Sequence, residues 1–266
     1  MRDPAHILEA EEITVQFGGV RAVASVSLAI RAEGITALIG PNGAGKTTFF
    51  NTITRLVQPT SGRLFFAAPA GELELTALPP DHIARAGIAR TFQNIRLFTD
   101  LSVLDNVKVG LHGRTKGGFW QALAGNRREE RRITGAALQY LDFVGLADRA
   151  AEQSESLSYG EQRKLEIARA LACGPRLLLL DEPAAGMNPQ ETQALVELIR
   201  RIRQAGLTIL LIEHDMKLVM RISDFVYVLD HGELIAAGHP TAVQKDPRVI
   251  AAYLGPQYLP AAGEPR

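Results

Sequence analysis

The chain has 266 residues, 29 Lys plus Arg against 29 Asp plus Glu, and one cysteine, Cys173. Balanced charge argues against a protein that lives by gripping bare nucleic acid, which needs a basic excess to displace counterions. A single cysteine excludes an internal disulfide framework and a Cys-rich zinc site, and Cys173 itself reads as a small buried side chain near a helix end. No apolar run approaches the ~18 residues of a membrane-spanning helix. The opening MRDPAHILEAEE carries acids where a secretory signal would be apolar. The expectation is a soluble, intracellular protein.

In chain order, residues 7–15 and 20–30 are rich in Ile and Val and read as strands, with Gly18-Gly19 as the turn between them. A short apolar run at 35–39 ends in a glycine-dense loop, and 46–56 is long enough for a helix. Residues 62–75 read as a hairpin-like stretch punctuated by Pro69 and Gly71, and 79–87 as a short helix opened by Pro80-Asp81. From 96 to 158 the texture is helical: Leu101, Leu104 and Val107 share a face, as do Ala137, Leu138, Leu141 and Val144. Within it, residues 114–132 hold six bases and two acids, either a solvated helix face or a contact with a membrane surface or acidic partner. Beyond 158 helices at 161–172, 189–205 and 217–222 alternate with strands at 177–180, 208–212 and 225–229. Such alternation predicts an α/β fold, a mainly parallel sheet covered on both faces. The last twelve residues, with three prolines, are expected to be loosely ordered.

Two clusters carry chemistry. Gly40, Pro41, Asn42, Gly43, Ala44, Gly45, Lys46, Thr47 and Thr48 contain the G-x-x-x-x-G-K-[ST] pattern between an apolar strand and a helix. Glycines let backbone N–H groups converge on phosphate oxygens, and the helix N-terminus adds positive potential. Lys46 reaches β and γ phosphates and the Thr47 hydroxyl holds Mg²⁺. This establishes triphosphate binding, not what hydrolysis drives. Further on, Leu177 to Leu180 run into Asp181-Glu182-Pro183. A buried parallel strand delivers its last residues to the carboxyl edge of the sheet, where ligands bind. There Asp181 faces the metal and Glu182 orients or deprotonates the attacking water.

With Gln93, Leu157-Ser-Tyr-Gly-Glu-Gln162, the LLLLDEP run and His214, the chain resembles an ATP-binding-cassette ATPase from about residue 7 to 254. The resemblance implies a RecA-like P-loop NTPase core with an antiparallel β subdomain (1–95 and 159–240), an inserted α-helical subdomain (96–158) and a C-terminal helix with a tail (241–266). It also implies two chains sandwiching two ATP molecules head to tail. In that arrangement Ser158, Gly160 and Gln162 present a helix N-terminus to the γ-phosphate held by the other chain. Ser158 with Glu161 also fits a helix cap, which uses the same geometry. By the same resemblance Gln93 senses Mg²⁺ and water, His214 contacts the γ-phosphate, and Phe17 stacks on adenine. Two positions depart from the family pattern: Tyr159 replaces a glycine, and Asn188 replaces the aspartate that closes the Ala185-Gly-Met segment.

The residues from Leu157 to Leu171, 181–192 and 212–220 are similar, more narrowly, to the ATP-binding subunit of bacterial branched-chain amino acid importers. That type implies a peripheral subunit on the cytoplasmic face of the inner membrane. Its partners are a second ATPase chain, identical or related, transmembrane permease subunits, and indirectly a periplasmic solute-binding protein, with no nucleic acid. A urea or short-amide importer and a lipopolysaccharide exporter are the alternatives within the family. A soluble cassette ATPase acting on DNA or ribosomes is the alternative outside transport, disfavoured by the single phosphate loop and neutral charge.

Overall fold

Alternating apolar residues near the N-terminus form two long antiparallel strands, β1 (His6–Phe17) and β2 (Val20–Arg31). The computed structural model describes residues 3, 5–112 and 127–255. There follow β3 (Ile35–Ile39), α1 (Lys46–Ile53), β4 (Ser61–Ala68), β5 (Gly71–Glu74), α2 (Pro80–Ala86) and β6 (Ile88–Arg90). Next come α3 (Val103–His112), α4 (Arg127–Val144), α5 (Tyr159–Ala172), β7 (Leu177–Asp181) and α6 (Pro189–Gln204). The last elements are β8 (Thr208–Ile212), α7 (Met216–Ile222), β9 (Phe225–Asp230), β10 (Glu233–Gly238), α8 (Pro240–Val243) and α9 (Pro247–Leu254).

The chain divides into two compact units, one of residues 1–83 with 206–266, the other of residues 84–205. In the first, β2-β1-β4-β5 make an antiparallel sheet. Its pleat buries Ile13 and Val15 of β1 and Val26, Leu28 and Ile30 of β2, leaving Thr14, Ser27 and Ala29 between them less buried. The same unit lines up β10-β9-β3-β8, with β3 parallel to both β8 and β9 and β10 antiparallel to β9. Every residue of β3 and β8 is buried, which is why, Thr36 and Thr208 apart, both read as apolar runs. Asp224 pins this sheet by accepting the Ile35 N–H at 2.8 Å, and Thr208 Oγ1 accepts the Glu33 N–H at 2.9 Å.

In the second unit β6 and β7 pair in parallel, and α3, α4 and α5 pack on one another. Helix α6 buries Leu195, Val196, Leu198, Ile199 and Ile202, one apolar stripe at helical spacing.

Several expectations needed correction. The helix from Lys46 stops at Ile53 rather than 56, because Arg55 adopts φ 58°, a left-handed conformation that ends it. Strands β6 and β10 lacked a sequence signal, being three residues long and Ala/Gly-rich respectively. Cys173 is exposed, not buried: it follows the last turn of α5, where Gly174-Pro175 turns the chain away. Of the basic stretch 114–132, residues 114–126 lie outside the described residues. The rest opens α4, where Glu129 pairs with Arg132 and Glu130 with Lys108. The expected loose tail, residues 255–266, lies outside the described residues apart from Gly255.

Candidate active site

In the first unit, pairing of Leu38 with Ile212 sets the ends of β3 and β8 side by side. The loop that starts at Gly40 and the exposed His214 therefore leave the same edge of the sheet. Two glycines let the loop lie against neighbouring main chain. A Cβ at Gly40 (φ 149°) would stand 2.0 Å from the Leu229 carbonyl oxygen, and one at Gly45 (φ 97°) 2.2 Å from that of Ala22. Lys46 is 5% exposed, its ammonium donating to the carbonyls of Gly40 and Pro41 at 2.8 Å each. This brings a buried positive charge to the concave side of the loop, beside the first N–H groups of α1, which have no intrahelical acceptor. Thr47 is exposed at the start of that helix.

Phe17 ends β1 and pairs with Val20 across the Gly18-Gly19 turn. Its ring is 53% exposed, so it is no core residue. Strand β2 then carries Ala22 past Gly45, which places the aromatic hairpin and the phosphate loop together. Gly45→Ala is expected to cost at least about 1 kcal/mol of stability, read as a lowered melting temperature, and to weaken nucleotide binding, since left-handed backbone and clash add. Gly19→Ala, with nothing within 4 Å of the added carbon, should stay within about 0.5 kcal/mol of wild type.

In the second unit β7 delivers Asp181 and Glu182, 2% and 8% exposed. The two acids are held by different residues of one neighbouring segment. Arg90 donates to Asp181 Oδ2 at 2.7 Å, and Gln93 Nε2 donates to Glu182 Oε2 at 2.8 Å. The Thr91 N–H bonds to Leu179 O at 3.0 Å, so the segment runs alongside β7. Glu182 has φ 48°, a conformation that non-glycine residues seldom adopt and that recurs at functional sites. Sequence reasoning missed the Asp181–Arg90 pair, since nothing in the sequence singled out Arg90.

Ser158 caps α5. Its Oγ accepts the Glu161 N–H at 3.4 Å while Glu161 accepts the Ser158 N–H at 2.9 Å, a reciprocal capping box. The Ser158 N–H, then its hydroxyl and nearby Arg149 and Lys164, hold the Glu161 carboxyl below the usual carboxylate range. Gln162 turns back and donates to Leu157 O at 3.0 Å. Asn188 caps α6 in the same way, Oδ1 accepting the N–H groups of Gln190 and Glu191. Around Gly160 the nearest side chain is Glu191, and around Gly186 it is Tyr159, so the 157–162 element and the 185–188 segment adjoin.

The first unit thus brings together Phe17, residues 40–48 and His214; the second brings together Gln93, Asp181 and Glu182. The donors predicted for a metal, the Thr47 hydroxyl, the Gln93 amide and the Asp181 carboxylate, are all oxygen-bearing, as hard Mg²⁺ requires. Asp181 Oδ1 is buried with no hydrogen-bond partner among the described residues, an orphaned acceptor that fits a cation.

A glycine-cradled lysine at the end of one buried parallel strand, and paired acids at the end of another, define an α/β protein of the P-loop nucleotide-binding class. The family model described as ABC transporter matches residues 23–185, and the chain belongs to that family. A second model, branched-chain amino acid ATP-binding cassette transporter, matches residues 233–255. The chain is 46% identical over 253 residues to the high-affinity branched-chain amino acid transport ATP-binding protein LivG of Salmonella typhimurium, covering 94% of this chain and 98% of LivG. It is 45% identical, with the same coverage, to the corresponding protein BraF of Pseudomonas aeruginosa. Among solved structures, the ADP conformation of MJ1267, an ATP-binding cassette of an ABC transporter, superposes with a TM-score of 0.81. It is 30% identical, over 94% of this chain and 99% of that one. Among the described residues no helix is long and apolar enough to cross a membrane.

Proposed function

We propose that this chain binds and hydrolyses ATP as the motor subunit of an importer for branched-chain amino acids. The ATPase reading is carried by the buried Lys46, held by its own phosphate loop in the first unit, and is supported in the second by two strand-end acids that are each individually held. The likeness to LivG and BraF along nearly the whole chain supports the solute class.

In this reading Phe17 stacks on the adenine, residues 40–48 wrap the phosphates, and His214 donates to the γ-phosphate. Thr47, Asp181 and Gln93 would hold Mg²⁺, which would neutralise charge on the phosphate oxygens. Arg90 keeps Asp181 aimed by occupying one of its oxygens. Glu182 accepts the proton of the attacking water, and Gln93 fixes the carboxylate that does so. Ser158, Gly160 and Gln162 meet the nucleotide of a second ATPase chain. The motor docks on permease subunits at the cytoplasmic face of the inner membrane, fed by a periplasmic binding protein.

The test is uptake into vesicles carrying the co-purified complex. Labelled leucine should enter only with ATP and Mg²⁺ present. Uptake of urea in place of leucine would move the solute to the alternative importer, and recovery of nucleic acid or ribosomes in place of membrane subunits would sink the transport reading.

A further inference from the structure

The largest fully buried side chain among the described residues is not a hydrophobe but Arg163, on α5, with its partner Glu166 1% exposed. The two pair at 2.7 Å. A buried ion pair is weak evidence for stability, because desolvating both charges offsets most of their attraction and apolar residues would pack as well. What distinguishes this one is where its remaining hydrogen bonds go. Arg163 Nη1 donates to Phe92 O at 2.6 Å and Nη2 to Gln93 O at 2.8 Å. Glu166 Oε1 accepts the N–H groups of Phe92 at 3.3 Å and Arg96 at 3.4 Å. One turn further along, Arg169 donates to the Arg96 carbonyl. Residues 92–96 have no ladder of their own, and the N–H and carbonyl of Phe92, the carbonyl of Gln93 and the N–H and carbonyl of Arg96 are satisfied from one face of α5.

That face continues to the start of the helix. Tyr159, Arg163 and Glu166 succeed one another at helical spacing. The Tyr159 hydroxyl lies 3.3 Å from Arg163 Nη2, and its ring covers Gly186. The side chain that departs from the family pattern therefore touches both the arginine and the 185–188 segment. At the far end of the chain of contacts, Gln93 donates to Glu182.

We propose that Arg163 and Glu166 are positioning residues: they fasten the Gln93 main chain to α5 and so fix the amide that orients the Glu182 carboxylate, with Tyr159 setting the pose of Arg163. The helix that presents Ser158 and Gly160 and the residue that steadies the water-activating acid then move as one piece. This rests on the ATPase reading above, since it assigns the network's output to Glu182.

Two near-isosteric variants test it in the full chain assembled with its partners. Arg163→Lys keeps the charge but loses the planar fork that reaches two carbonyls. Glu166→Gln places an amide donor against the guanidinium or turns it toward the Phe92 N–H. Each should cut kcat by about tenfold to a hundredfold, the scale of a misplaced catalytic group, with KM for ATP within about threefold of wild type. Combined with Gln93→Ala, either should be no slower than Gln93→Ala alone, because both act through the same side chain. Amide exchange at Phe92 and Arg96 should accelerate while residues 40–48 are unaffected. A merely structural pair would lower Tm with kcat intact, or give losses that multiply with Gln93→Ala, and either result overturns the proposal. Where a variant does not fold, Tyr159→Phe removes one hydroxyl and keeps the ring. A kcat lowered by about twofold or more at constant KM supports the proposal, and an unchanged kcat overturns it. If wild type hydrolyses no ATP, the ATPase reading fails, and exchange at Phe92 and Arg96 in Glu166→Gln still decides the clamp: unchanged protection there refutes it.

Discussion

Glu182→Gln is expected to bind ATP within about threefold of wild type and to hydrolyse it about two to four orders of magnitude more slowly, the range for removing a general base. The substitution is close to isosteric, and its amide oxygen can still accept from Gln93 Nε2, which reaches Glu182 Oε2 at 2.8 Å in the wild type. The backbone at φ 48° is asked of glutamine as of glutamate, so no relief or added strain accompanies the change. What is lost is the ability to take a proton. Steady-state phosphate release and a fluorescent-nucleotide titration separate the two quantities. Turnover close to wild type would strip Glu182 of its role, whereas lost binding would mean the acid supports the fold of the site rather than its chemistry.

Lys46→Ala should act on the opposite quantity. The ammonium is almost fully enclosed and held by two main-chain carbonyls, so a triphosphate meets a pre-placed, desolvated cation. Removing one partner of such a charge pair costs about 2–5 kcal/mol of binding. At about 1.4 kcal/mol per tenfold, that is a Kd raised by about thirtyfold to several thousandfold. The carbonyls of Gly40 and Pro41 also lose this donor, so a lowered melting temperature in the nucleotide-free chain should accompany the affinity loss. Unaltered nucleotide affinity, read by the same titration, would remove the phosphate loop from the site.

These two residues were legible in the sequence because local pattern fixes them. Short apolar runs at 35–39 (interrupted by Thr36) and 177–180 read as buried strands, and the residues just beyond such a strand emerge at its carboxyl edge. The capping boxes at Ser158 and Asn188 were likewise within reach, since both partners lie three residues apart. What the sequence hid depends on distant segments meeting. Arg90 and Asp181 are 91 positions apart, and nothing near either one announces the pair. Arg163 and Glu166 sit among charged neighbours on what reads as a polar helix surface, and only the packing of residues 92–96 against α5 buries them. Cys173 misled for the same reason in reverse: its type favours interiors, but the turn at Gly174-Pro175 carries it outward.

The backbone at position 182 sets a limit on how this molecule can be made hardier. Glycine or asparagine would sit more comfortably at φ 48° than glutamate does. A search guided by heat resistance alone would be drawn to replace the one side chain that the hydrolysis reading cannot spare. At that single residue endurance and turnover pull against each other.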